Sequence, residues 1–209
     1  MIRRLSMTFA LALAMFVTST SAQADTFQLT GINTGVTATV TITQLTGGLL
    51  TFTVTNTSTG TNIGTVTSIG LDLPGTIAGP FTLVSSSNPN YRLETNIDGN
   101  ASGINTVFEI ALLTGPNFNG GGSPNNGILP GESATFSVSG NFAGLTQQQI
   151  AQGLFLRFQN VNGDDSDVAR CTTCAPPPEI PEPATMALLG TGLAGLAASI
   201  RRRRRAGRE

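Results

Sequence analysis

The stretch VTATVTITQLTGGLLTFTVTN, residues 36–56, decides the fold, because its apolar residues alternate strictly with threonines on both sides of a glycine pair. Ala, Val and Ile occupy every second position of residues 38–42, and the alternation resumes in residues 50–54 with Leu, Phe and Val. Successive side chains of a β-strand point to opposite faces, so this period buries one face and exposes the threonines. Two such runs around Gly47-Gly48 predict a β-hairpin.

Six further segments are rich in β-branched and aromatic residues and are separated by turn-forming Gly, Pro, Asn and Asp. Thr146 and Gln149 have the spacing of a helix capping box and predict one short helix, which carries Ile150 and Leu154 on one side. Residues 25–170 are therefore predicted to form a mainly β domain, an antiparallel β-sandwich of the immunoglobulin-like or jelly-roll type with one short helix. The six predicted strands are residues 65–73, 81–85, 91–94, 106–113, 133–139 and 154–161.

The N-terminus has the three parts of a secretory signal peptide. Two arginines precede the apolar residues 5–17, and Ala22-Gln23-Ala24 has the A-x-A form of a signal peptidase site. We therefore predict a signal peptide over residues 1–24, a mature chain that begins at Asp25, and export of the domain. A membrane anchor is the weaker interpretation, because the apolar run is short.

The C-terminal residues form a second targeting segment. Pro181-Glu182-Pro183 is followed by residues 184–200, which carry no charge, and then by a row of arginines. The prolines favour an extended stretch, the uncharged run predicts a transmembrane helix of about 25 Å, and the positive charges stop transfer and remain in the cytoplasm. The row consists of Arg201, Arg202, Arg203, Arg204 and Arg205.

This order of elements resembles the PEP-CTERM sorting tail. The resemblance covers residues 181–205, leaving residues 171–180 as a Cys/Pro-rich linker and residues 206–209 as the tail end. It implies a substrate of an exosortase, a membrane-embedded cysteine transpeptidase of Gram-negative bacteria, which would recognise Pro181, Glu182 and Pro183. An ordinary single-pass tail anchor is the alternative.

The resemblance also implies a destination and a role. Such a protein is processed by signal peptidase and by an exosortase, and its C-terminal helix holds it briefly in the inner membrane. It is then delivered to the cell surface or the extracellular space. Proteins with this tail are associated with exopolysaccharide and biofilms, so a structural or adhesive role is expected, with exopolysaccharide as a partner. The alternative is a ligand-binding module for glycans or ice.

Without the two end segments the chain is acidic. Residues 25–179 contain ten carboxylates, three arginines and neither lysine nor histidine, which gives a side-chain charge of −7. Such a surface repels nucleic acid, so no nucleic-acid partner is expected. The lack of histidine and lysine removes the usual bases near neutral pH. Because the acids Asp72, Glu94 and Glu109 are scattered along the sequence, we expect no enzyme.

The densest group of oxygen ligands predicts at most a calcium site. Asn162, Asp164, Asp165 and Asp167 lie within six residues, and Ca²⁺ prefers carboxylate and carbonyl oxygens. The spacing differs from that of an EF-hand loop, and a solvated turn after the last strand is the competing interpretation. No other cofactor is expected.

Cys171 and Cys174 form a C-x-x-C pair. A zinc site would need ligands from a second molecule, since the chain has no further Cys and no His. In an oxidising compartment the pair predicts a local disulfide, with intermolecular crosslinking as the alternative.

Two features are candidates for ligand binding. Residues 115–127, rich in Gly, Asn and Pro, predict a long surface loop. The threonine rows of residues 37–43 and 51–55 are similar to the flat faces of some ice-binding proteins, although two rows are few and sheets twist. The chain has no tryptophan and one tyrosine, which disfavours aromatic sugar platforms.

Overall fold

The computed structural model describes residues 24–75, 77, 79–120 and 123–174. Within these ranges the chain forms twelve β-strands and one α-helix. They are β1 (Asp25–Gly31), β2 (Thr37–Leu45), β3 (Leu49–Asn56), β4 (Thr65–Leu71), β5 (Thr82–Ser86), β6 (Arg92–Glu94), β7 (Ile97–Asp98), β8 (Val107–Phe108), β9 (Ile110–Leu113), β10 (Ser133–Ser139), α1 (Gln147–Gln152), β11 (Leu154–Val161) and β12 (Asp165–Cys171).

Ten of these strands form one antiparallel sheet in the order β5-β10-β3-β2-β1-β12-β11-β4-β9-β6. The two edge strands, β5 and β6, contact each other, so the sheet curls into a nearly closed barrel or sandwich. Strands β7 and β8 pair separately as a small ribbon. The predicted mainly β, antiparallel fold is therefore confirmed.

The hairpin of residues 36–56 forms as predicted. Strands β2 and β3 pair from Ala38 with Asn56 to Leu45 with Leu50, and every second residue is buried in β3 and in β2 as far as Ile42, after which the register shifts. The buried rings lie at the centre of the core: those of Phe52 and Phe136 are 5.6 Å apart, and Tyr91 packs edge-on against Phe136 at 5.1 Å. Because the Tyr91 hydroxyl donates to the Val66 carbonyl at 2.5 Å, its one polar group is satisfied inside the core.

The predicted helix also forms. Thr146 Oγ1 accepts from the backbone N–H of Gln149, and the Gln149 side chain accepts from the Thr146 N–H, which is the reciprocal capping box. Leu154, however, is the first residue of β11 rather than part of the helix. Gly153 ends α1 where its Cα approaches the Asp72 carbonyl so closely that a Cβ would overlap with it. A glycine is therefore required at this junction.

Several strand ends differ from the prediction by one or two residues, and three differences are larger. The strand predicted over residues 106–113 is divided into β8 and β9, because Glu109 turns aside and its Oε2 accepts from the Leu73 N–H at 2.7 Å. Strands β1 and β12 were not predicted, yet they pair with each other at the centre of the sheet. Cys171 belongs to β12 and Cys174 is buried in the core, so the folded domain continues past Arg170 into the predicted linker.

Candidate functional site

The buried carboxylate of Asp167 holds the turn between β1 and β2 in place. Asp167 lies on β12, is fully buried, and its carboxylate accepts hydrogen bonds from five groups. The Asn33 N–H and side-chain amide donate at 3.0 and 3.3 Å, the Thr34 N–H and hydroxyl at 2.7 and 2.8 Å, and the Val168 N–H at 2.7 Å. The carboxylate thus fixes the turn between β1 and β2.

The calcium prediction is not supported by this arrangement. Asp164 and Asp165 are exposed on the turn between β11 and β12, whereas Asp167 is buried and occupied by the β1–β2 turn. Asn162 instead accepts from the Ile63 N–H at 3.4 Å. Among the described residues, no group of three or more Asp, Glu, Cys or His side chains is placed to hold a metal ion. Asp165 is exposed at the start of β12, whereas Asp167 lies further along the strand under the β1–β2 turn.

A polar cleft lies beside this turn and contains Arg157 of β11. The cleft has a volume of about 340 Å³ and is lined by Gln159, Asn160, Asp164, Asp165 and Ser166 besides the arginine. Arg157 Nη1 donates to Ser102 Oγ at 3.1 Å and Nη2 to Ser166 Oγ at 2.6 Å. Burial lowers the pKa of the guanidinium, an effect that the negative charges of Asp167 and Asp165 oppose. Arg157 is a lone charge in an apolar strand, and the sequence around it does not indicate a site.

The threonine rows of the hairpin belong to a larger surface, here called the hydroxyl face. Strand β1 continues it on one side of the hairpin and β10 on the other, so that Thr26, Thr41, Thr53 and Thr135 lie in register. Neighbouring hydroxyls bond to each other, Thr26 to Thr41 at 2.9 Å and Thr53 to Thr135 at 2.8 Å. The hydroxyl face consists of Thr26, Thr39, Thr41, Thr51, Thr53, Thr55, Ser133, Thr135 and Ser137, all uncharged and none buried.

The loop of residues 115–127 is anchored where the structure describes it. Phe118 is buried against Phe108 with ring centres 4.5 Å apart. The carbonyl of Asn126, in the short 3-10 helix Pro124–Asn126, accepts from Asn88 Nδ2 at 3.2 Å and from Asn90 Nδ2 at 3.3 Å. Pro124 reaches the wall of the Arg157 cleft. The described part of the loop thus contributes Pro124 to the cleft.

The three acids considered for catalysis lie in separate hydrogen-bonding environments. Asp72 accepts from the Thr106 hydroxyl at 2.5 Å, and Glu109 accepts from the Leu73 N–H. Glu94 forms an exposed ion pair with Arg92 at 3.0 Å. Each carboxylate therefore has a local structural partner.

Both ends of the domain meet at helix α1. The Asp25 N–H donates to Gln147 Oε1 at 3.2 Å, and the Cys174 carbonyl accepts from Gln148 at 3.3 Å and Gln152 at 2.6 Å. Cys171 and Cys174 form a disulfide with their Cα atoms 5.6 Å apart. The two described ends of the domain, Asp25 and Cys174, therefore both bond to α1.

The sorting elements themselves lie outside the described residues. This holds for Ala22, for Pro181, Glu182 and Pro183, for the predicted helix of residues 184–200 and for the five arginines. In the part of the chain that the structure describes, no helix is both long and apolar enough to cross a membrane.

The sorting tail is recognised by comparison with known proteins. The family model described as the PEP-CTERM protein-sorting motif matches residues 179–204. The resemblance is therefore confirmed, and the motif indicates an extracellular protein that is sorted by an exosortase. No curated protein and no solved structure matches the chain.

Proposed function

We propose that this chain is a non-enzymatic structural or adhesive component of an exopolysaccharide matrix, delivered by signal peptidase and an exosortase. The PEP-CTERM motif at residues 179–204 carries the proposal. In this scheme signal peptidase cuts after Ala24, the C-terminal helix holds the chain briefly in the inner membrane, and the exosortase acts at Pro181–Pro183. The β domain is then left at the cell surface.

The described domain supports this role in two ways. Its two described ends, Asp25 and Cys174, both bond to α1, so the folded domain is bounded by the two segments that carry the processing sites. The acids Asp72, Glu94 and Glu109 have structural partners, which favours a binding or structural role over hydrolysis by a carboxylate pair.

The first prediction concerns the matrix. Host cells that lack the chain are expected to secrete the same amount of polysaccharide but to form a less cohesive biofilm, measured as biomass that survives shear. The full chain should restore cohesion, whereas a chain ending at residue 178, which is exported without the sorting motif, should not. Unchanged cohesion in the strain that lacks the chain would rule out the structural role.

A second candidate function is ligand binding by the hydroxyl face, with ice as the ligand. The observation that favours it is the extent of the face, which spans β1, β2, β3 and β10 rather than the two rows expected from the sequence. Regularly spaced hydroxyl and methyl groups without charges suit an ordered layer of water better than a charged partner. Because the strands twist, the hydroxyl positions cannot match a flat ice lattice over the whole face.

This candidate predicts that the chain slows ice recrystallisation. Thr53→Lys places a long charged side chain in the middle of the face and is expected to abolish the effect, with little loss of stability because Thr53 is not buried. The matched control is Thr61→Lys, an exposed threonine in the turn before β4. If the unmodified chain leaves the growth of ice grains unchanged, ice binding is excluded.

A further inference from the structure

Arg157 is a buried charge without an ion pair. It is 8 % exposed, and none of the described carboxylates lies within ion-pair distance of its guanidinium. Its Nε has no hydrogen-bond partner among the described residues. Buried charges are normally paired, because the loss of hydration is costly. The nearby charges of Asp167 and Asp165 offset part of this cost. Nη1 and Nη2 bond to the hydroxyls of Ser102 and Ser166, and each carries a second N–H that can donate to a group in the cleft that Arg157 lines.

The strand geometry turns further polar groups toward the same cleft. Neighbouring residues of a regular strand face opposite sides, but β11 has a bulge at Asn160, whose φ is +54°. A bulge re-aims the side chains around it, and here Gln159 and Asn160 both line the cleft with Arg157. The turn that follows contributes Asp164 and Asp165, and β12 contributes Ser166.

The donors and acceptors of the cleft suit hydroxyl groups. Arg157 donates, the two aspartates accept, and the two amides and Ser166 do both. A hydroxyl is itself a donor and an acceptor, so several hydroxyls on one ring can satisfy such a mixed set. Because the cleft contains one positive and two negative side chains, an anionic ligand is repelled. The cleft is shallow and open to solvent, so a ligand there would be bound through hydrogen bonds to its polar lining.

We propose that this cleft binds a neutral saccharide, with Arg157 and Ser166 donating to its hydroxyls and Asp164 and Asp165 accepting from them. The inference rests on the proposed matrix role and gives it a ligand class. The cleft lies at the turn that ends β11, whereas α1 and both ends of the domain adjoin the start of β11.

The test is a calorimetric titration of the full-length chain, purified in a sugar-free detergent. The probes are neutral gluco-, galacto- and manno-oligosaccharides and the corresponding uronic acid oligomers. At least one neutral probe is expected to bind, with the matching uronate at least about tenfold weaker because its carboxylate is repelled by Asp164 and Asp165. In ¹⁵N spectra the Arg157 Nε–H resonance should shift as the neutral probe binds.

Two variants remove cleft groups that are not part of the core, Gln159→Ala and Asp164→Asn. Each should weaken binding about tenfold without changing the melting temperature. The matched controls are Gln44→Ala and Asp98→Asn, exposed residues outside the cleft, which should bind within about twofold of the unmodified chain. The inference is overturned by no binding across the panel, by a preference for uronates, or by equal effects of cleft and control variants. None of these results affects the sorting proposal, which is tested on the chain termini.

Discussion

Replacing Asp167 with alanine is expected to lower the free energy of unfolding by about 3–5 kcal/mol, since removing one partner from a buried charged network leaves the others unsatisfied. The carboxylate is fully buried and accepts from Asn33, Thr34 and Val168. Its charge also opposes the cost of burying Arg157. Alanine leaves the donors of the β1–β2 turn without an acceptor and removes one of the two nearby negative charges that oppose the cost of burying Arg157. Urea or thermal unfolding of the purified chain measures the loss.

The matched control is Asp164→Ala, three residues earlier in the same acidic stretch. Asp164 is exposed on the turn, so its removal is expected to change stability by no more than about 0.5 kcal/mol. Asp167→Asn keeps the shape of the side chain but places an NH₂ among groups that all donate. Its loss of stability should therefore lie between the losses of Asp167→Ala and Asp164→Ala. Equal stability of the Asp167 and Asp164 alanine variants would show that the carboxylate does not hold the turn.

The second large effect concerns sorting. Changing Pro181, Glu182 and Pro183 together to alanine is expected to abolish processing, because alanine removes the fixed φ of the prolines and the one carboxylate of the motif. The product should remain in the membrane fraction with Arg201–Arg205 still attached. Cell fractionation followed by mass spectrometry of the C-terminal peptide measures this.

The control changes prolines outside the matched residues. Pro176, Pro177 and Pro178 precede the motif at residues 179–204, so their replacement by alanine should leave processing intact. If the spacer variant and the motif variant are processed equally well, the tripeptide does not carry recognition.

Local sequence patterns were sufficient to predict the secondary-structure elements that are defined by residues close together along the chain. The hairpin of residues 36–56 follows from strict alternation, and the capping box from the spacing of Thr146 and Gln149. Both depend on contacts between residues that are close along the chain. The boundaries of these elements shifted only where a distant group intervened, as at Gly153, where the Asp72 carbonyl packs against the backbone.

The features that the sequence did not reveal depend on long-range pairing. Strand β12 carries the polar sequence DSDVARC and has the appearance of a turn, and it becomes a central strand only because β1 and β11 pair with it. The buried state of Asp167 and the grouping of Arg157 with Ser102 and Ser166 follow from the same pairing. From the sequence the acidic stretch therefore allowed both a solvated turn and a calcium site, and it did not reveal that Asp167 is buried while Asp164 and Asp165 are exposed.

The central claim is that the chain is exported and trimmed at both ends by a signal peptidase and an exosortase. The most direct measurement is the intact mass of the protein from its native host, with and without the host's exosortase. We predict a chain that begins at Asp25 in both strains and that ends near Pro181–Pro183 only when the exosortase is present. A mass that still includes Arg201–Arg205 in both strains would contradict the account.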